Sequence, residues 1–139
     1  MRGLPHRAEG FGYILAYAMI LGTPVVATDY SGSSDFLLPS TGYPVRAREV
    51  PVPRGHGILP MENAVWADVS VEAMAKALTE VAENPDNAAS RAKIAADMMA
   101  SRYSMAAQTL RYRARLEILH GLSSNEGQRA TKARSRRVS

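Results

Sequence analysis

The chain has 139 residues, of which 17 are basic, 13 are acidic and none is cysteine. This length is typical of one modest domain, and the lack of cysteine excludes disulfides, thiolate metal sites and cysteine nucleophiles. No stretch approaches the ~18 consecutive apolar residues of a membrane span, and the N-terminal segment has no long apolar signal core. We therefore expect a cytoplasmic protein.

The net charge of +4 lies in the C-terminal segment, because residues 122–139 hold five basic residues and one acidic residue. Residues 1–121 are neutral, so we expect no nucleic-acid partner for the folded part. The C-terminal segment is poor in apolar residues, which predicts a disordered basic tail. The tail is then either simply solvated or weakly attracted to anionic lipid or nucleic acid, and we keep peripheral membrane contact as the functional alternative.

The N-terminal part of the sequence predicts a loop, a helix and a strand. Residues 1–10 are predicted to form a loop, and nearly every residue in 11–21 is apolar, which predicts a helix that is buried on all sides. Gly22 then ends the helix. The run Pro-Val-Val-Ala-Thr at residues 24–28 predicts a parallel strand covered on both faces. The next loop, residues 29–35, follows the carboxyl end of that strand, where ligands gather in open α/β sheets.

The rest of the chain is predicted to be mainly helical. Residues 43–47 are a candidate short strand, and residues 50–60 are rich in Pro and Gly, which predicts irregular structure. Three helices follow, with Ser70, Asp86 and Ser104 as their predicted N-caps. The predicted fold class is therefore α/β, a partial Rossmann-like fold with a small parallel sheet and helices that ends in an α-helical region.

The candidate site is the acidic, glycine-containing entrance to the first helix, where Glu9 precedes Gly10 and Gly12. A helix N-terminus offers N–H groups and partial positive charge to a phosphate, and a neighbouring carboxylate can accept hydrogen bonds from sugar hydroxyls. Glycines let the backbone approach a ligand closely. Short glycine patterns are weak motifs, so a plain helix-entry turn remains the alternative.

Several segments together resemble a known family. They are Glu9-Gly10-Phe11-Gly12, the apolar helix, the Gly-Thr-Pro strand and Ser-Gly loop at residues 22–32, Asp35-Phe36, Trp66-Ala67-Asp68 and Arg102-Tyr103-Ser104. In this order they resemble the C-terminal, donor-binding domain of retaining glycosyltransferases of the GT-B architecture, the group 1 glycosyltransferases. The resemblance extends from about residue 6 to about residue 119.

The resemblance implies a nucleotide-diphosphate sugar as donor substrate, transferred with retention of configuration and without a metal or other cofactor. Carried over to this chain, Glu9 would be the catalytic residue and would hold hydroxyls of the donor sugar. The implied donor-binding residues are Gly10, Phe11, Gly12, Tyr13 and Tyr17. Among these, the backbone N–H groups around Phe11 and Gly12 would face the sugar and the phosphates.

Tyr17 departs from the family pattern, which has a second glutamate at this position. Eight helical residues rise ~12 Å, about the distance from a donor sugar across two phosphates to the ribose. A glutamate can accept hydrogen bonds from both ribose hydroxyls, whereas a phenol offers one polar atom. Tyr17 is therefore interpreted either as a contact to ribose or base or as a core residue, and we favour the core.

The family also has an acceptor-binding domain and further donor-domain strands before the segment that this chain matches. We therefore expect residues 1–121 to be a partial donor-binding domain of a glycosyltransferase fragment, with residues 122–139 as the tail. The N-terminal acceptor domain would be its partner in cis or in trans. The alternative function is a non-catalytic, degenerate module that binds a nucleotide sugar or a partner protein.

Overall fold

The computed structural model describes the backbone of residues 1–53 and 63–135, and the side chains of residues 1–53 and 63–121. The chain divides into two compact units, Met1–Ala100 and Ser101–Ser139. Part of the segment predicted to be irregular, residues 54–60, lies outside the described residues.

A small parallel sheet forms the centre of the first unit. Its strands are β1 (Arg2–Leu4), β2 (Val25–Asp29) and β3 (Tyr43–Arg46), with β2 in the middle and parallel to both neighbours. The helix α1 (Tyr13–Ile20) connects β1 to β2. The predicted α/β class and the buried central strand are confirmed. The N-terminal loop prediction is wrong for β1, because three residues are too few to show a strand pattern and this strand forms by pairing with β2.

A second, antiparallel sheet pairs β4 (Arg48–Pro51) with β5 (Val65–Asp68). Residues 50 and 51 therefore belong to a strand, and the prediction of irregular structure is wrong there. The Pro51 position explains the error, since proline is tolerated in an edge strand but weakens a strand signal in the sequence.

Two helices follow β5 in the chain. They are α2 (Val71–Glu83) and α3 (Pro85–Arg102). The Ser70 hydroxyl accepts a hydrogen bond from Ala73 N at 3.1 Å, which confirms the predicted cap of α2. Asp86 is not the cap of α3: the helix begins at Pro85, and Ala88 N donates to the Asn84 carbonyl at 3.0 Å. Proline suits the first helical position because it needs no N–H partner there.

The core joins the parallel sheet to α2 and α3. It contains the buried residues Val26, Tyr43, Val45, Met74, Val81 and Ala88. Because successive side chains of a strand point to opposite faces, Val25 and Ala27 point away from this cluster, and both are fully buried. The central strand is therefore covered on both faces.

Only one face of α1 is buried. Leu15, Ala16, Ala18 and Met19 are buried, whereas the large apolar residues Tyr13, Ile14, Tyr17, Ile20 and Leu21 are exposed. The prediction of a helix buried on all sides is therefore wrong. An apolar sequence allows every face of a helix to be buried, but burial also requires a neighbouring element that packs against each face.

The second unit contains α4 (Met105–Ser135). Ser104 caps the start of this helix, as predicted, because its hydroxyl accepts a hydrogen bond from Ala107 N at 3.2 Å. The backbone of residues 122–135 is helical, in contrast to the disorder predicted for this tail. The segment contains no proline, the residue that most strongly interrupts a helix, so the helix that begins at Met105 can continue through it. None of the helices within the described residues combines the length and apolar character of a membrane span.

Candidate functional site

The candidate site is formed by two loops at one edge of the parallel sheet. The first connects β1 to α1 and carries Glu9, Gly10, Phe11 and Gly12; the second follows β2 and contains the 3₁₀ turn Ser31–Asp35. The carboxyl ends of parallel strands lie at the same edge of a sheet, which is where ligands bind in open α/β folds. Both loops were predicted, but the contacts between them were not.

The backbone of Glu9 is held by the second loop. Its carbonyl accepts hydrogen bonds from the Ser31 hydroxyl at 2.6 Å and from Gly32 N at 3.3 Å. Ser31 adopts a left-handed φ of 66°, a conformation that is costly for a residue with a side chain and is enriched at functional sites. The Glu9 side chain is half-buried, and its carboxylate forms no ion pair or hydrogen bond with the residues that the structure describes. The backbone is therefore fixed while the carboxylate remains available.

A second contact between the loops involves His6, which is only 8% exposed. Its Nε2 lies 3.2 Å from the Tyr30 carbonyl oxygen and 3.3 Å from the Ser33 hydroxyl. The Ser33 hydroxyl also donates to the Tyr30 carbonyl at 3.2 Å. This buried polar cluster fixes the start of the first loop against the turn, and sequence reasoning did not find it.

A third contact joins the first loop to β5. The Arg7 guanidinium carbon lies 4.4 Å from the centroid of the Trp66 ring, in a cation–π arrangement. The Arg7 carbonyl also accepts a hydrogen bond from Ala67 N at 2.8 Å. The Trp66-Ala67-Asp68 segment, singled out in the sequence by resemblance alone, thus has a structural contact with the candidate site.

Gly12 forms the entrance to α1. It is the N-cap residue with a left-handed φ of 88°, and no side chain caps the helix. A Cβ atom at this position would lie 3.3 Å from the Phe36 ring and 3.4 Å from Ser33 Cβ. The first-turn N–H groups of a helix have no intrahelical acceptors, so this end of α1 can accept an anion.

The aromatic residues of the site form a continuous series. Phe11 contacts Phe36 at 5.2 Å and Tyr13 at 5.1 Å between ring centroids, and Tyr13 stacks on Tyr17 at 6.2 Å. Tyr17 is 62% exposed, so the favoured interpretation of this residue as part of the core is wrong. Tyr13 and Tyr17 are one turn apart and share a helix face.

The structure therefore brings the sequence-predicted residues to one place. Glu9, Gly10, Phe11 and Gly12 lie in the loop, Tyr13 begins α1, and Tyr17 lies one turn further along. Sequence reasoning assigned no role to His6, Ser31 or Ser33. The available signals were that residues 29–35 follow a strand end and that the Ser-Gly pair at residues 31–32 belongs to the segments that carry the resemblance. Among the described side chains, no group of three or more His, Asp or Glu residues is placed to hold a metal ion.

Comparison with known proteins identifies the family. Residues 4–110 match the family described as family 4 glycosyltransferase in conflict systems. No curated protein gives a significant match, and neither does any solved structure. The matched range is more than half of the chain and includes the whole candidate site. The chain therefore belongs to the family 4 glycosyltransferases in conflict systems.

Proposed function

We propose that this chain binds the nucleotide-sugar donor of a retaining glycosyltransferase, as the C-terminal donor domain of a GT-B enzyme. The observation that carries the proposal is the fixed Glu9 loop directly before the uncapped N-terminus of α1. Family membership supports a glycosyltransferase-like function. The donor, the retention of configuration and the domain assignment are the parts that we propose.

In this proposal Glu9 contacts the sugar. Its partly exposed carboxylate accepts hydrogen bonds from sugar hydroxyls, which donate. Because Ser31 and Gly32 hold the Glu9 carbonyl, the backbone that carries this side chain is fixed before the donor binds. Binding then has to order only the Glu9 side chain and not the loop, which favours affinity.

The entrance to α1 contacts the phosphates. The N–H groups near Gly12 and Tyr13, together with the positive end of the helix dipole, stabilise the negative charge that develops on the leaving diphosphate. The proposal therefore uses no metal ion. A side-chain cap would occupy these N–H groups, and α1 has none.

The acceptor is bound by a separate N-terminal domain, supplied in cis or in trans. We propose that sugar transfer takes place only when this domain is joined to the donor site. No observation on the described residues favours the alternative of a non-catalytic module.

The test is binding of nucleotide-diphosphate sugars to the full chain by calorimetry. The panel contains uridine, guanosine and adenosine diphosphate sugars, each paired with the free nucleoside diphosphate. We expect E9Q to weaken binding of the preferred nucleotide sugar by ~1 kcal/mol, because the amide oxygen still accepts a hydrogen bond but lacks the charge that strengthens it. Binding of the free nucleoside diphosphate should be unchanged, since it lacks the sugar.

The matched control is E49Q, which changes an exposed carboxylate in β4 and should leave both affinities unchanged. Circular dichroism verifies that each variant is folded. The proposal is wrong if the folded wild-type chain binds no nucleotide sugar, or if E9Q binds it as tightly as the wild type.

A further inference from the structure

The series of aromatic rings extends from the core of the first unit to the surface of α1. Phe36 is fully buried, Tyr13 is 66% exposed and Tyr17 is 62% exposed. The rings of Tyr13 and Tyr17 are nearly parallel, with an interplanar angle of 29°, whereas the two inner contacts are tilted by 51° and 58°. The buried ring thus anchors an exposed, nearly parallel pair.

The exposed pair suits a flat aromatic ligand. Aromatic side chains bind nucleobases by stacking, and this contact tolerates any base because every base has a π-face. Tyrosine adds a hydroxyl that can donate or accept a hydrogen bond at the edge of the ring. Anchoring by Phe11 and Phe36 restricts the Tyr13 ring before a ligand arrives, which lowers the entropy lost on binding.

The position of the pair along α1 agrees with the length of a nucleoside diphosphate. With a rise of 1.5 Å per residue, Tyr17 lies ~7.5 Å along the helix axis from Gly12. Phosphates held at the helix entrance would therefore place the base about one turn away, beside the Tyr17 ring that stacks on Tyr13. The helix entrance and the Tyr17 ring thus lie in the order along α1 that a bound diphosphate and its base would need.

We propose that Tyr13 and Tyr17 form a stacking platform for the nucleobase of the donor. This inference rests on the proposed function, because it places the base of the same nucleotide sugar whose phosphates lie at the α1 entrance. A ring at residue 17 then supplies nucleotide affinity by stacking on the base, where the family pattern has a carboxylate for the ribose. Recognition through π-faces gives only modest discrimination between bases.

The test compares nucleoside diphosphates with inorganic pyrophosphate on the full chain. Affinities for ADP, UDP and pyrophosphate are measured by NMR titration for the wild type, Y17F and Y17L. We expect Y17F to bind ADP and UDP within about twofold of the wild type, and Y17L to bind them about tenfold more weakly. Pyrophosphate affinity should not change in either variant. The base protons should shift upfield with the wild type and Y17F.

Y112L is the matched control, because Tyr112 is a similarly exposed tyrosine on α4, at 70%. It should leave all three affinities within about twofold. The inference is overturned if Y17L binds ADP as the wild type does, or if it weakens pyrophosphate equally. It is also overturned if Y17L changes the oligomeric state by light scattering, because a second copy of the chain would then cover the rings.

This outcome is separable from that of the Glu9 experiment. If E9Q leaves nucleotide-sugar affinity unchanged while Y17L weakens ADP, the platform stands and the proposed sugar contact fails. If E9Q weakens the nucleotide sugar while Y17L leaves ADP unchanged, the sugar contact stands and the platform fails.

Discussion

Gly10 and Gly32 lie against each other where the two site loops meet, and they lack side chains for different reasons. A Cβ atom on Gly32 would lie 2.8 Å from the carbonyl carbon of Gly10 and would overlap its carbonyl oxygen. A Cβ atom on Gly10 would have no atom within 4 Å. Packing therefore requires glycine at residue 32, whereas at residue 10 the structure leaves open space that a ligand can occupy.

We expect G32A to lower the free energy of unfolding by ~1–3 kcal/mol, because backbone must move to admit the methyl group. G10A should remain within ~0.5 kcal/mol of the wild type but should weaken nucleotide-sugar binding, since its methyl group extends into the space beside Glu9. Urea denaturation and calorimetry measure the two effects. Equal stability of the two variants would contradict the packing assignment.

At this scale the sequence predicts the residues of the site better than their contacts. Glu9 through Gly12 are recognisable because they are consecutive and precede an apolar helix. The Ser31 hydroxyl and the Glu9 carbonyl are 22 residues apart, and Ser33 and His6 are 27 apart. Such pairs depend on the register in which β1 and β2 align, which no local pattern in the sequence encodes.

At the scale of single elements, α1 shows how far an apolar run determines burial. Leu15 is completely buried, while its neighbour Ile14 is 52% exposed. We expect L15A to destabilise the protein by ~2–5 kcal/mol, because it leaves a cavity in the core. I14A should change the free energy of unfolding by less than ~0.5 kcal/mol. Urea denaturation of both variants tests the burial of α1, and a large loss in I14A would show that an element covers this face.

An element can be predicted from the sequence when the interactions that define it join residues close together in the chain. The caps Ser70 and Ser104 are predicted correctly because a cap bonds to a backbone N–H three residues away. β2 is predicted because it is buried on both faces. β1, β4 and β5 are missed because short edge strands are defined by their partners. Asp86 is misassigned because Pro85 already provides a helix start.

At the scale of the whole molecule, charge is distributed unevenly along the chain. Residues 1–121 are neutral, and the +4 net charge belongs to residues 122–139, of which residues 122–135 continue α4. A basic segment near an anionic bilayer contributes ~1 kcal/mol per Lys or Arg. Peripheral membrane contact through this segment therefore remains our proposal for its function.

Deletion of residues 122–139 tests this proposal. We expect the shortened chain to bind vesicles that contain phosphatidylserine more than tenfold more weakly than the full chain at low ionic strength. The difference should shrink as salt is added, because the Debye length falls from ~30 Å at 0.01 M to ~8 Å at 0.15 M ionic strength. Neutral phosphatidylcholine vesicles are the control and should bind both chains equally weakly. Cosedimentation measures the bound fraction, and equal binding of the two chains to anionic vesicles would mean that the segment is solvated rather than a membrane contact.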